Sequence, residues 1–355
     1  MTPVVFGAVA ARNRSRRVAI AAVAAAAVLV VMELGTRALA PYLTEPQLWG
    51  DDATTVKVVQ MDARSGACTD VVLAGNSMGR DAFDPATFRA ADPAHRSAYN
   101  ASLDAASPEL LERWVTDEVV PRLHPSTVVL TLASLDVNAN SAAGRAAVRA
   151  YDDAVLSRPG ATGKLEAAAV GDSDLVRYRS DLRQPSEVWD ALGRARRGTP
   201  APRLSADGLP GVLGADGQGL SRRSLHYTGS SVTKAFLTGQ LLNDYAVGSD
   251  QLAAEGRLID ALRDHGTQVA VVVMPVTDDY RNLHPGGAAQ ADQFSADAKA
   301  LAGDHHASFI DLERSAPVDQ FADTHHLNGA GADAFSQALP SRLTDAGITP
   351  TTCPS

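Results

Sequence analysis

The chain has 355 residues, 45% of them hydrophobic and 21% charged, with a net charge of −9 and a pI near 5.4. This is globular composition, with enough chain for one large domain or two small ones. The acidity, with no basic cluster beyond the N-terminus, excludes a nucleic-acid footprint, and no loop carries acids at the spacing of a calcium site.

The N-terminus stands apart from the fold. Arg12, Arg14, Arg16 and Arg17 precede an unbroken apolar run of 15 residues, Val18 to Met32, and apolar character resumes through Leu34, Leu39 and Leu43. The run lies between a signal-peptide core and a full span in length. Ala38 and Ala40 suit a signal peptidase, but Pro41 at the next position disfavours cleavage. The expectation is an uncleaved anchor over 18–43, behind a basic cytoplasmic segment 1–17; cleavage would instead leave a secreted protein. Arginines before the run and Glu45, Asp51 and Asp52 after it place the remainder outside the cytoplasm. Residues 44–66 read as a polar linker.

From residue 67 strand and helix signals alternate, as in a parallel sheet covered by helices. Strands are predicted at Val71–Ala74, Ala98–Asn100, Thr127–Leu132, Gln268–Met274 and Ser308–Leu312. Helices are predicted at Pro108–Leu123, Asp250–His265, Ala288–Ala302 and Gly331–Ala346, with Pro108 and Glu109 a good helix start. The alternation fails over about 140–232. Helical stretches there (Ala143–Leu156, Ser186–Arg197) lead into a Gly- and Pro-rich loop over 198–222. This insertion follows strand three, where loops overhang the sheet's carboxyl edge. It reads as a lid or acceptor surface, or equally as a surface excursion without a chemical role. The expected fold is α/β: a three-layer α/β/α sandwich with a parallel sheet of about five strands, filling 67–355.

Two short segments carry chemistry. Gly75-Asn76-Ser77-Met78-Gly79 leaves the first predicted strand, where a serine hydroxyl reaches the sheet's carboxyl edge. Asp323-Thr324-His325-His326-Leu327-Asn328 holds an acid and a base three residues apart before the final helix. A serine needs a base to take its proton, and a histidine base works best when a carboxylate holds its tautomer. Ser77 is the candidate nucleophile, His326 the base and Asp323 its orienting partner. His325, two residues from Asp323, is expected to face substrate or solvent. The pairs His325-His326 and His305-His306 are not at metal-ligand spacing, so neither a metal nor any other cofactor is expected.

These segments, in this order, resemble the SGNH (GDSL-like) hydrolase and acyltransferase superfamily. The resemblance covers roughly 65–345. It rests on Gly75-x-Ser77 after strand one and on Asp323-x-x-His326 with Leu327-Asn328 and the Gly329-Ala330 helix start. It departs at Asn76, where most members carry Asp. It implies a flavodoxin-like fold and an oxyanion hole with three donors: the Ser77 N–H, a small residue after strand two (Ala101 or Ser102), and an asparagine after strand three. In this chain the third position is Leu135, and Asn138 is the candidate substitute. Asn138 and Asn140 equally suit loop capping. Tyr280 and His284, following strand four, are candidate substrate contacts or plain loop residues.

The resemblance implies acyl transfer through an acyl-Ser77 intermediate, as an O-acyl esterase or an O-acyltransferase. The substrate is an ester or acylated glycan of the cell envelope, and a multipass acyl-donor membrane protein is a possible partner. The departure at Leu135 keeps a second class open: a non-catalytic envelope protein that binds glycan or holds an assembly. Cys68 and Cys353 flank the domain and could bridge its ends outside the cytoplasm, or be unrelated thiols.

Overall fold

The computed structural model describes residues 5–46, 48–154, 156–158 and 160–352, with side-chain environments from residue 18 onward. It divides into two compact units, Met1–Leu48 with Val155–Arg203, and Trp49–Ala154 with Leu204–Ser355.

The second unit is built on one all-parallel sheet of five strands: β1 (Val71–Ala74), β2 (Ala98–Asn100), β3 (Thr127–Leu132), β4 (Gln268–Val273) and β5 (Ser308–Asp311), in the order β2-β1-β3-β4-β5. β1 and β3 are buried along their whole length, which explains why they read as continuous apolar runs and not as alternation. The helices Ser77–Ala82 and Pro85–Ala91 pack with Gly329–Asp345 on one side of the sheet. Pro108–Trp114 packs with Ser249–Asp264 on the other. The chain passes from β1 outward to β2 and then back across to β3. The loops leaving β1 and β3 therefore diverge at a topological switch point, where open α/β sheets form their crevices.

Two expectations are corrected. Pro108–Leu123 is not one α-helix, because a π turn, Val115–Val119, interrupts it. Pro121 has no N–H to give and its ring clashes with the carbonyl four residues back, so the ladder widens locally. The segment 44–66 is not merely a linker, because Asp52–Arg64 is a helix capped by Asp51, whose carboxylate accepts from Thr54 N at 2.6 Å. Its buried face includes polar residues, which hid its periodicity. Lys57 Nζ donates to Asn100 O (2.5 Å) and Gly217 O (2.6 Å), and Gln60 Oε1 accepts from the Tyr99 hydroxyl at 2.9 Å. Burial, and then the charge of Arg80, push the Lys57 ammonium well below its ordinary range.

The stretch expected as one insertion is shared between the units. Residues 155–203 belong with the N-terminal helix, and 204–232 stay with the sheet. The second part docks on β2, where Asn100 N donates to Asp216 O at 3.0 Å. Gly217 is required here: its φ is +80°, and a Cβ on it would lie 2.1 Å from Asn100 O.

In the first unit a single helix runs over Val5–Leu39. Its apolar part, continued to Tyr42, is long and apolar enough to cross a membrane. Pro41 lies in the 3-10 turn that ends it, and Leu43 is buried with Tyr178 and Ala191. Cys68 is disulfide-bonded; its expected partner, Cys353, lies outside the described residues.

Candidate active site

Ser77 is the first residue of its helix, so its N–H has no partner within the helix. Asn76 caps that helix, its Oδ1 accepting from Met78 N at 2.7 Å, while its Nδ2 donates to Asp136 Oδ1 at 2.6 Å. Asp136 also accepts from Ala133 N at 2.8 Å. Burial outweighs both hydrogen bonds and pushes the Asp136 carboxyl up to about 7. The asparagine before the serine therefore ties the loop after β1 to the loop after β3.

Gly75 and Gly79 have ordinary backbone conformations, and both are small because of Thr131 on β3. A Cβ on Gly75 would lie 1.7 Å from Thr131 Oγ1 and 2.9 Å from its carbonyl oxygen. A Cβ on Gly79 would lie 2.4 Å from the same hydroxyl. Gly75→Ala should force β1 and β3 apart and destabilise the protein by about 3 kcal/mol, the upper end for an overpacked core. The midpoint of urea unfolding measures this, and an unchanged midpoint would show that the strands can yield.

Ser77 Oγ lies 2.9 Å from His326 Nε2, and His326 Nδ1 lies 2.8 Å from Asp323 Oδ2. The other oxygen of Asp323 accepts the N–H groups of His325 and His326, each at 2.9 Å. The loop itself is closed by Ala322 N to His326 O at 2.8 Å. It is tied to the loop after β4 by Thr277 Oγ1, which donates to Thr324 O at 2.8 Å. Burial opposes charge on Asp323, but the hydrogen bonds from His325 and His326 prevail and hold its carboxyl far below the usual range. Asp323, His325 and His326 also bring possible ligand atoms within 4.8 Å of one another. His326 Nδ1 and Asp323 Oδ2 bond each other.

No family model matches the chain, and no curated protein does. Solved structures of similar fold include an acetylxylan esterase from Geobacillus stearothermophilus (a catalytic mutant). It is 10% identical, with a TM-score of 0.39 over 82% of this chain and 100% of that one. A GDSL-like lipase from Bacteroides thetaiotaomicron is also 10% identical, with a TM-score of 0.38 over 78% of this chain and 89% of that one.

The remaining candidate residues are placed differently from expectation. His325 does not face solvent. It is 5% exposed, its Nδ1 lies 3.1 Å from Thr324 Oγ1, and its ring stacks on Tyr280. Burial first, then the neighbouring His326, push its imidazole down to about 4. The unfolded chain therefore takes up a proton near pH 6.5 that the folded chain refuses until about pH 4. Stability from this group is intact above about pH 6.5 and falls by up to about 3 kcal/mol as pH drops to about 4. Urea titrations at about pH 7 and about pH 4.5 should show that loss in the wild type, with a smaller loss in His325→Gln. An equal loss in both would assign the acid sensitivity elsewhere.

Tyr280 and His284 are also buried, with their polar atoms engaged within the protein. The Tyr280 hydroxyl lies 2.7 Å from Ser134 Oγ and accepts from Leu135 N at 3.2 Å, while His284 Nε2 lies 2.8 Å from Ser134 Oγ. Together they brace the loop after β3. The backbone N–H groups of Ala101 and Ser102 and the amide of Asn138 are already committed, while Ser102 Oγ is buried with no hydrogen-bond partner among the described residues. Ala101 N donates to Leu73 O at 2.7 Å, and Ser102 N to Asn100 Oδ1 at 3.1 Å. Asn138 Nδ2 donates to Leu241 O at 2.8 Å and Asn243 O at 3.2 Å, and its Oδ1 accepts from Asn140 N, so it does cap its loop.

Sequence reasoning missed Arg222. Its Nη1 donates to Asp81 Oδ2 at 2.6 Å, and its Nε stands 3.9 Å from Asp323 Oδ2. Gly219 N, bonded to Arg80 O at 2.8 Å, anchors the loop that delivers it. The only signal was a pair of arginines, Arg222 and Arg223, at the end of the Gly- and Pro-rich stretch.

Proposed function

We propose that this protein carries out serine-dependent acyl transfer on esters in the manner of the SGNH superfamily. The observation that carries the reading is the unbroken relay from Ser77 Oγ through His326 to Asp323, with contacts of 2.9 and 2.8 Å. Ser77 Oγ attacks the ester carbonyl carbon and its proton passes to His326 Nε2. Asp323, held ionised, keeps Nδ1 protonated and stabilises the imidazolium. The Ser77 N–H meets the tetrahedral oxygen. Collapse releases the alcohol, which takes the proton from His326 and leaves acyl-Ser77. Water completes an esterase cycle, and a glycan hydroxyl completes an O-acyltransferase cycle. Each acceptor gives its proton to His326, and Ser77 recovers it when the ester bond breaks.

The N-terminal helix is read as an uncleaved anchor that holds the sheet unit outside the cytoplasm. That position suits acylated envelope glycans as substrates and a multipass acyl donor as partner. A second reading, a non-catalytic glycan-binding or assembly protein, is favoured by one observation: Leu135 occupies the third oxyanion position while the N–H groups of Ala101 and Ser102 and the amide of Asn138 are committed. Full-length protein in detergent, offered a small acetyl ester and then a panel of acetylated glycans, separates the two. Turnover with an acyl adduct on Ser77 by mass spectrometry supports the enzyme. Glycan binding with neither turnover nor adduct supports the alternative.

A further inference from the structure

A cavity of about 210 Å³ lies at the carboxyl edge of the sheet, wholly within the sheet unit, and the relay from Ser77 to Asp323 does not account for it. We propose that this cavity holds the acyl group of the ester and selects a short chain ending in a carboxylate, with Arg145 and Arg149 binding that terminal charge. The proposal rests on reading Ser77 as the nucleophile of acyl transfer and names the acyl group it takes.

The order β2-β1-β3 places the end of β1, and with it the Ser77 turn, between the loops that follow β2 and β3. The cavity lies between those same two loops. Ala105 to Ser107 line one wall, and Leu135, Asp136 and Asn138 line the other. Both loops are tied to the serine turn: Leu103 N donates to Gly75 O at 2.9 Å, and Asp136 Oδ1 accepts from Asn76 Nδ2 at 2.6 Å. The Asn138 amide holds Leu241, a further wall residue, through its carbonyl oxygen at 2.8 Å. The topology therefore directs a chain carried by Ser77 Oγ toward this space. It amounts to about seven water volumes of about 30 Å³, enough for an acyl group of about four to six carbons.

The lining fits such a chain. Ala105, Ala106, Leu135, Val148 and Leu241 offer apolar surface, which suits methylene groups better than sugar hydroxyls. Arg145 and Arg149 stand one turn apart on the helix Ala142–Asp153, both exposed and both lining the cavity. Neither pairs with a carboxylate among the described residues, and Asp152 on the same helix is taken by Arg113. Arg145 Nη1 donates to Ala139 O at 3.0 Å, which turns its guanidinium toward the loop after β3. Two guanidinium groups at this spacing can share the oxygens of one carboxylate. The acids of the lining do not cancel them. Both oxygens of Asp136 accept hydrogen bonds, and burial pushes its carboxyl up to about 7. Glu109 is attracted to Arg257 on the helix Ser249–Asp264. Ser107 Oγ is buried in the wall with no hydrogen-bond partner among the described residues, which leaves a donor for an oxygen of the bound group.

Two esters of one fluorescent alcohol supply the test. Umbelliferyl hemiadipate and umbelliferyl hexanoate share leaving group and chain length and differ in the terminal carboxylate. Each is offered to full-length protein in detergent, with hydrolysis in Ser77→Ala subtracted. The wild type is expected to turn over the hemiadipate with kcat/KM at least about tenfold above the hexanoate, an advantage that shrinks as salt screens the exposed arginines. Arg149→Gln should lower that ratio at least about threefold, and Arg145→Gln with Arg149→Gln should bring it to about one, while Arg149→Lys keeps part of the preference. Circular dichroism checks the fold of each variant. A wild type that prefers the hexanoate or treats the two alike would overturn the proposal, as would a ratio that the double variant leaves unchanged; in both cases turnover itself leaves the acyl-transfer reading standing. An unchanged ratio with weaker transfer to a uronic acid acceptor would assign the arginines to the acceptor and remove them from the acyl group. No turnover of either ester, with no acyl adduct on Ser77, would overturn the underlying reading and the proposal with it.

Discussion

Ser77→Ala is expected to lower kcat/KM on a small acetyl ester by roughly ten-thousandfold or more, because no other group is placed to form the acyl intermediate. His326→Ala should be almost as severe, since the hydroxyl 2.9 Å away then has no base. Asp323→Asn should cost about a hundredfold less than either. The imidazole remains, but the carboxylate that holds Nδ1 and two backbone N–H groups is gone. Groups that act as one unit lose activity non-additively, so the double variant Ser77→Ala with His326→Ala should be scarcely worse than Ser77→Ala alone. His325→Gln is the control. Its ring lies against Tyr280 and its Nδ1 stands near Thr324 Oγ1 and 3.2 Å from Asp323 Oδ1, not at Ser77, so the loss should be several-fold and far short of that in His326→Ala. Kinetics on detergent-solubilised full-length protein, with folding checked by circular dichroism, decides the matter. Wild-type turnover in Ser77→Ala would end the catalytic assignment. A dead His325→Gln beside an active His326→Ala would move the base by one residue and leave the chemistry standing.

Leu135→Asn is expected to raise kcat on the same ester by about tenfold. Removing one oxyanion donor from an acyl-transfer site costs roughly a hundred- to a thousandfold, and adding one to a site not shaped around it should recover only part of that. The side chain belongs to the buried apolar cluster that includes Met78, Leu241 and Tyr280. The amide should therefore lower stability by about 2 kcal/mol, as a polar group enters a packed position. A gain in kcat with KM little changed, in a protein that melts earlier, identifies this position as the missing donor. A Leu135→Asn variant no faster than wild type would show that the amide cannot reach the tetrahedral oxygen. If the wild type and Leu135→Asn are both inert while glycan is bound, the non-catalytic reading stands.

Much of this was legible in the sequence by itself. β1, β3 and β4 are apolar runs bounded by breakers, and a doubly covered parallel sheet is the arrangement that buries such runs on both faces. The order Ser77, Asp323, His326, with Asp-x-x-His before a glycine-led helix start, marked the three groups that meet at one edge of the sheet. The helix over Asp52–Arg64 was not legible, because Lys57 and Gln60 sit at buried positions and break the apolar period. Only the tertiary structure decided why Gly75 and Gly79 are glycines, since the obstructing hydroxyl belongs to Thr131 on another strand. It also decided that His325, Tyr280 and His284 are interior, that Arg222 approaches Asp323 from a loop about a hundred residues away, and that the N–H groups of Ala101 and Ser102 and the amide of Asn138 are already committed. Periodicity and spacing report which residues share a strand, a helix or a turn. Which donor remains free at the site depends on contacts between segments distant in sequence, and those arise only when the chain packs.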